Sequence, residues 1–239
     1  METMETQLAE LVEANRILAH EGVLDAFGHV SLRLTGQDSY WISRSISPEL
    51  VTLGDIQHYD LESEILDADV RRGYAERVIH GEIYKHRPDI GAVCHLHAPA
   101  LLPFCISGVP LIPVTHLGAT VGSTVPVWNA QDAFGDTDML VSTKEQGASL
   151  AHTLGPNAAA LLKGHGAVVV GKDIRTLVMR TVQITRNADA LFKALQLGEP
   201  QPLTPGEVAL SGSKNLEPAI LARAWDYWAH RAGIHTKVQ

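Results

Sequence analysis

Two histidines two positions apart, His95 and His97, sit in the short apolar run Val93-Cys94-His95-Leu96-His97. Alternate side chains of a strand share a face, so both imidazoles can reach one cation while Cys94 and Leu96 point the other way. A pair of buried imidazoles is a poor core choice, since each ring carries polar nitrogens that need partners. Taken alone, a His-x-His also arises by chance. His165 lies between Gly164 and Gly166 at the meeting of two apolar runs, where absent side chains let the backbone turn sharply and present the ring to a site. The plainer reading is a turn histidine. Glu76 could add an oxygen ligand or act as a general base, although by itself it reads as a solvated acid at a helix start, stabilised by the macrodipole. Three imidazoles leave positions open for substrate oxygens, as a catalytic cation requires, whereas a closed structural site wants a fourth protein ligand. Imidazoles with a carboxylate suit zinc, and Mn, Fe, Co and Mg stay open because selectivity follows availability and geometry.

The elements that must position these residues can be read from periodicity. Residues 6–21 carry Leu8, Leu11, Val12 and Ile17 at helical spacing before Gly22, the place of a C-terminal cap. Gly28–Leu34 and Ser39–Ile46 read as a hairpin about a Thr-Gly-Gln-Asp turn. A short segment at Leu50–Leu53 and a strand at Ile56–Leu61 follow, then a helix over Ala75–Lys85 and the apolar strand Ile90–His97. Ala100–Ser107 returns as a helix, and Pro110–Thr115 and Gly122–Val127 are extended pieces. Beyond them the pattern predicts a helix at Thr143–Leu154, neighbouring strands at Ala158–Leu162 and Ala167–Val170, and a long helix at Ile174–Gln196. Residues 199–216, rich in Pro, Gly and Ser, read as a loop before a last helix at Pro218–Ala232.

The 239 residues suit one domain spanning 1–239, with no internal repeat or composition shift to divide it. A formal net charge of −8, with its 19 Lys and Arg scattered, gives no footprint for nucleic acid. The opening stretch lacks a basic region followed by an apolar run, and no segment has about eighteen uninterrupted apolar residues, so a cytoplasmic protein without a membrane partner is expected. Two cysteines, Cys94 and Cys105, are too few for a disulfide framework and read as small buried side chains.

Three stretches have a recognisable layout: Glu76-Arg77-Val78-Ile79-His80, Val93 to Pro99 around the histidine pair, and Leu162-Lys163-Gly164-His165-Gly166. With Asp25-Ala26-Phe27-Gly28-His29-Val30-Ser31 and Asp132-Ala133-Phe134-Gly135, they resemble the class II aldolase/adducin family from about residue 6 to residue 196. The resemblance implies an α/β fold of three layers, α/β/α, with a central, mostly antiparallel sheet flanked by helices. It also implies a homotetramer with sites at subunit boundaries, His95, His97 and His165 as metal ligands, and Glu76 as the acid that ligates or acts as base.

Sugar-phosphate aldolases of that family cradle phosphate with small polar residues at three places. This chain has His29 in the first, Ser43-Arg44-Ser45-Ile46-Ser47 in the second and Tyr74-Ala75 before Glu76 in the third, and His116 is followed by Leu117 rather than tyrosine. The pattern looks more like the decarboxylase branch, which acts on dihydroxyphthalate-like catechol acids or carboxy-muconate semialdehydes in aromatic catabolism. That implies a metal-dependent lyase working through a metal-stabilised enolate. Arg44, flanked by Ser43 and Ser45, could hold a substrate carboxylate by a bidentate contact, and His29, His116 or Tyr227 could deliver a proton. Trp225, Tyr227 and Trp228 could cover a neighbouring subunit's pocket, although such a cluster is more often packing. The alternatives are a class II aldolase acting on a sugar phosphate or other hydroxy-carbonyl compound, and a non-enzymatic adducin-like scaffold, which should lack the metal ligands.

Overall fold

Strand residues of alternate parity sort into two separate cores, and the architecture follows from that. The computed structural model, which describes residues 3–234, runs α1 (Met4–His20), β1 (His29–Leu32), β2 (Ser39–Ser43), β3 (Ile56–Asp60), α2 (Val78–His86), β4 (Ala92–Leu96), α3 (Leu102–Ser107), β5 (Val127–Trp128), α4 (Gln131–Phe134), α5 (Lys144–Leu154), β6 (Ala159–Leu162), β7 (Gly166–Gly171), α6 (Ile174–Leu197), α7 (Pro205–Asn215) and α8 (Pro218–Arg231). The expected span 1–239 extends beyond the described residues at both ends. One seven-stranded sheet has the order β3-β2-β1-β4-β7-β6-β5, antiparallel except for the parallel edge pair β5/β6. Val30, Cys94, Leu96 and Val169 face one side with Leu11 and Leu18 of α1, Leu177 of α6 and Trp225 of α8. Ile42, Val93, Val168 and Val170 face the other with Ile79 and Ile83 of α2 and Leu150 and Leu154 of α5. This is the three-layer α/β/α arrangement that the family resemblance implies, and the period of two along each strand is what supplies the sheet with two apolar faces.

The stretch read as a loop at 199–216 contains a helix, α7. Thr204 caps it: its hydroxyl accepts the Glu207 amide at 3.2 Å, while the Glu207 carboxylate accepts the Thr204 amide at 2.8 Å. Pro205 occupies the first turn, where no amide proton is needed. Gly212 serves packing, since a Cβ there would lie 2.7 Å from the carbonyl oxygen of Ala119. Thr204→Ala should cost about 1 kcal/mol, seen as a fall of roughly 2–4 °C in Tm by calorimetry. An unchanged Tm would argue that the helix is held by packing alone.

Two other segments bear on the expectations. Residues 110–115, read as an extended piece, join no sheet, and the Asn187 side chain accepts the amides of Val114 and Thr115 at 2.9 and 3.1 Å. Trp225 and Trp228 are buried within their own chain on the apolar face of α8 with Leu221 and Ala229, so they are not offered to a neighbour. Only Tyr227 of the three aromatics is exposed.

Candidate metal centre

The face of the sheet under α2 and α5 carries the histidines. His29 on β1 is paired directly with His95 on β4, and His97 follows β4 with the same parity. His165 stands in the tight turn between β6 and β7, where Gly164 adopts φ +67°. Gly166 admits the close strand crossing, for a Cβ there would lie 2.2 Å from the carbonyl oxygen of Leu96. Glu76 enters from a single 3-10 turn, Ala75–Arg77, that runs into α2.

Four ligand atoms, one each from Glu76, His95, His97 and His165, lie within 4.8 Å of one another. Glu76 Oε2 is 3.5 Å from His95 Nε2, and Glu76 Oε1 is 3.8 Å from His165 Nε2. The His95 ring stands edge-on to His97 and His165 at centroid separations of 4.7 and 4.9 Å. His95 Nδ1 meets the carbonyl oxygen of Ala167 at 3.0 Å, which fixes the ring and frees Nε2. His95 Nε2, His97 Nε2 and His165 Nδ1 are buried without a hydrogen-bond partner. Buried imidazole nitrogens without partners are costly, and one of them, His95 Nε2, faces the Glu76 carboxylate; the grouped donor atoms of the four residues fit a divalent cation.

Electrostatics agree. Burial opposes charge on Glu76, but the His95 contact and the Val141 amide, at 3.0 Å from Oε1, hold its carboxyl down to about 2. Burial, followed by the charges of His95 and His165, pushes His97 down to about 4, and burial also lowers His165. The shifts on His97 and His165 both favour the neutral imidazole, the form a metal ligand requires.

A cavity of about 360 Å³ opens on this cluster, lined by Glu76, His97 and His165 together with Phe27, His29, Ser45, Ser47 and Tyr74. A second of about 380 Å³, with Trp128, Gln131 and Lys163 in its wall, also includes His165 in its lining. The structure thus brings His29 and Ser45 to the cavity that holds the candidate metal ligands Glu76, His97 and His165. It does not bring Arg44, whose Nε is spent on Asp55 at 2.7 Å and which does not line the cavity. Ser43 is fully buried behind the wall, its hydroxyl 3.2 Å from that of Tyr74. His116 is exposed near α7, where its carbonyl accepts the Ser211 hydroxyl at 2.9 Å. Tyr227 is 54% exposed on α8 beside Arg231.

Sequence reasoning gave no role at the site to four residues. Tyr74 bonds to both backbone groups of Ile46 and so ties down the loop that follows β2. His80, Ser31 and Tyr84 form a buried chain behind His29: His29 Nδ1 to His80 Nε2 at 2.7 Å, His80 Nδ1 to Ser31 Oγ at 2.6 Å, and Ser31 Oγ to Tyr84 Oη at 2.8 Å. The available signal was spacing, since Glu76, His80 and Tyr84 are four apart and share one face of the helical segment.

His80 gives a pH prediction. Burial, and then the charge of His95, lowers it to about 3, below the ordinary 6.5. Between those values the unfolded chain binds the proton and the folded chain does not, so this contribution to stability is full above about pH 6.5 and is lost as pH falls toward 3. Urea midpoints of chelator-treated protein should drop through that window, and more shallowly for His80→Gln. Equal slopes for the two proteins would contradict the assignment.

With the geometry in place, comparison with known proteins defines the class. The sequence profile described as Class II Aldolase and Adducin N-terminal domain matches residues 9–192. The chain belongs to this family. It is 28% identical over 248 residues to Decarboxylase tropJ of Talaromyces stipitatus, covering 93% of each chain. It is 27% identical over 200 residues to 3,4-dihydroxyphthalate decarboxylase of Arthrobacter keyseri, covering 77% of each. Among solved structures, L-fuculose 1-phosphate aldolase from Glaciozyma antarctica superposes with a TM-score of 0.78 at 22% identity, over 98% of this chain and 94% of that one. Cys94 and Cys105 are free and buried, and among the described residues no helix is long and apolar enough to cross a membrane.

Proposed function

We propose that this protein is a metal-dependent carbon–carbon lyase that decarboxylates a hydroxylated aromatic acid of the dihydroxyphthalate type, or a carboxy-muconate semialdehyde. The observation that carries this reading is the wall of the cavity facing the histidines. His29 and Tyr74 stand there with ring centroids 4.5 Å apart, Phe27 lies at the mouth, and none of the described lining residues is Lys or Arg. Flat rings suit a planar substrate, whereas a phosphate dianion calls for cationic or clustered amide donors. The likeness to two decarboxylases supports the same direction.

His95, His97 and His165 would hold the cation, zinc being the best fit to the donors, and Glu76 would serve as fourth ligand or as base. When bound, a divalent cation supplies positive charge beside the substrate oxygens as the carbon–carbon bond breaks. Ser45 would contact the substrate's polar rim, while Arg44 stays with Asp55 and supports the loop. The carbon left by CO₂ needs a proton. We assign its delivery to His116 or Tyr227 of a neighbouring copy, because both lie on the surface of their own chain and away from its own cavity wall. The functional unit is then a homo-oligomer, a tetramer by the habit of the family. An active monomer in sedimentation would refute that arrangement. The adducin-like scaffold is disfavoured because every ligand is present.

The deciding experiment is a product screen with zinc-loaded protein. CO₂ should appear from ortho-hydroxylated aromatic acids or carboxy-muconate semialdehydes, and fuculose and rhamnulose phosphates should be left untouched. Fast aldehyde release from a sugar phosphate, with no decarboxylation of any acid, would restore the aldolase reading.

A further inference from the structure

The buried chain behind His29 has a direction, and the direction determines what His29 can offer a substrate. Tyr84 lies at its closed end, with two acceptors in reach of its hydroxyl: Ser31 Oγ at 2.8 Å and the carbonyl oxygen of Gly91 at 3.5 Å. Gly91 already accepts the Arg33 amide at 2.7 Å. A carbonyl oxygen can accept twice, so distance decides between them, and we assign the phenol proton to Ser31 at 2.8 Å over Gly91 at 3.5 Å. Having accepted there, Ser31 donates its own proton to His80 Nδ1 at 2.6 Å. A neutral imidazole carries one N–H, so that of His80 is on Nε2, which donates to His29 Nδ1 at 2.7 Å. His29 then carries its proton on the remaining nitrogen, on the ring edge left for the cavity that His29 lines. Ser31, His80 and Tyr84 are at most 1% exposed and His29 is 3% exposed, so water does not compete for these bonds.

We infer that Tyr84, Ser31 and His80 are positioning residues that lock His29 as a neutral Nε2–H donor, and that this donor holds an anionic oxygen of the substrate, its carboxylate or its ring oxyanion. The locked donor explains how a carboxylate can be received in a cavity whose described lining has no Lys or Arg and from which Arg44 is withheld by Asp55. It also separates two roles left together by the sequence. If His29 gave its proton to carbon, refilling through Nδ1 would run back along the chain and leave Tyr84 as a buried phenolate, which burial opposes, so His29 binds and the proton for carbon comes from elsewhere. The role toward a carboxylate rests on the decarboxylase reading, whereas the direction of the chain does not.

The test has two independent arms. In the first, zinc-loaded protein labelled with ¹⁵N-histidine is studied by two-bond ¹H–¹⁵N correlation NMR, with the two rings assigned from His29→Phe and His80→Phe. Both should show a protonated Nε2 and a bare Nδ1, and a His29 protonated at Nδ1 would overturn the proposal. In the second, 3,4-dihydroxybenzoate is titrated calorimetrically as the probe. His29→Phe should weaken binding by about tenfold or more. Ser31→Ala should weaken it about threefold or more with zinc content unchanged, since His80 loses the proton that sets its tautomer, and Ser31→Thr should rescue it. Unaltered affinity in both His29→Phe and Ser31→Ala would overturn the donor role. If wild-type protein ignores the probe while His29 shows the Nε2–H form, the lock stands and the decarboxylase reading fails. If it binds the probe tightly while His29 is protonated at Nδ1, the lock fails and the decarboxylase reading stands.

Discussion

The double substitution His95→Ala, His97→Ala should take bound divalent metal from about one equivalent per chain to background, measured by elemental analysis after gel filtration. Two of the three imidazoles vanish at once, and what remains, Glu76 and His165 with Oε1 and Nε2 3.8 Å apart, cannot enclose a cation. Turnover should fall with the metal by at least about a hundredfold, the scale set by removing a single preorganised charge-stabilising group. The fold should survive, because His95 lies between apolar strands that pack through Val93, Val168 and Val170. Retention of one equivalent of metal would place the cation elsewhere.

Gly166→Ala is the second large effect, and it acts through the backbone. The new methyl group would sit 2.2 Å from the carbonyl oxygen of Leu96 and 3.0 Å from His97 Cδ2. Leu96 belongs to β4, paired to β7 on one side and β1 on the other, so relief requires the central strands to separate. A cost of about 1–3 kcal/mol is expected from such overpacking, seen as a drop of several degrees in Tm, together with weaker metal binding because His97 and His165 flank the clash. A variant with native Tm and native zinc affinity would show that the β4/β7 crossing is looser than described.

Much of this site is legible in the sequence alone. The parity of His95 and His97 and the glycines around His165 follow from elementary strand and turn geometry, and the structure brings these rings together with Glu76. What stays hidden depends on contacts distant in sequence. Nothing local says that Arg44 belongs to Asp55, eleven positions on, or that the Asn187 side chain accepts the Val114 amide. The helix at Pro205–Asn215 is obscured by its Pro, Gly and Ser content, although Thr204 and Glu207 spell a capping box. The chain behind His29 needs both β1 and α2 in place, because Ser31 and His80 are 49 residues apart. Trp225 and Trp228 are ambiguous for a plain reason: an amphipathic helix presents the same stripe whether it packs at home or against a neighbour.

The most direct measurement is CO₂ yield against metal occupancy. Chelator-treated protein is reloaded in steps with zinc and supplied with a 3,4-dihydroxyphthalate-type acid. The rate of CO₂ release should rise in proportion to bound metal and break at about one equivalent per chain, with His95→Ala flat throughout. Decarboxylation by fully stripped protein, or a saturated site that releases no CO₂ while splitting a sugar phosphate, would contradict the account.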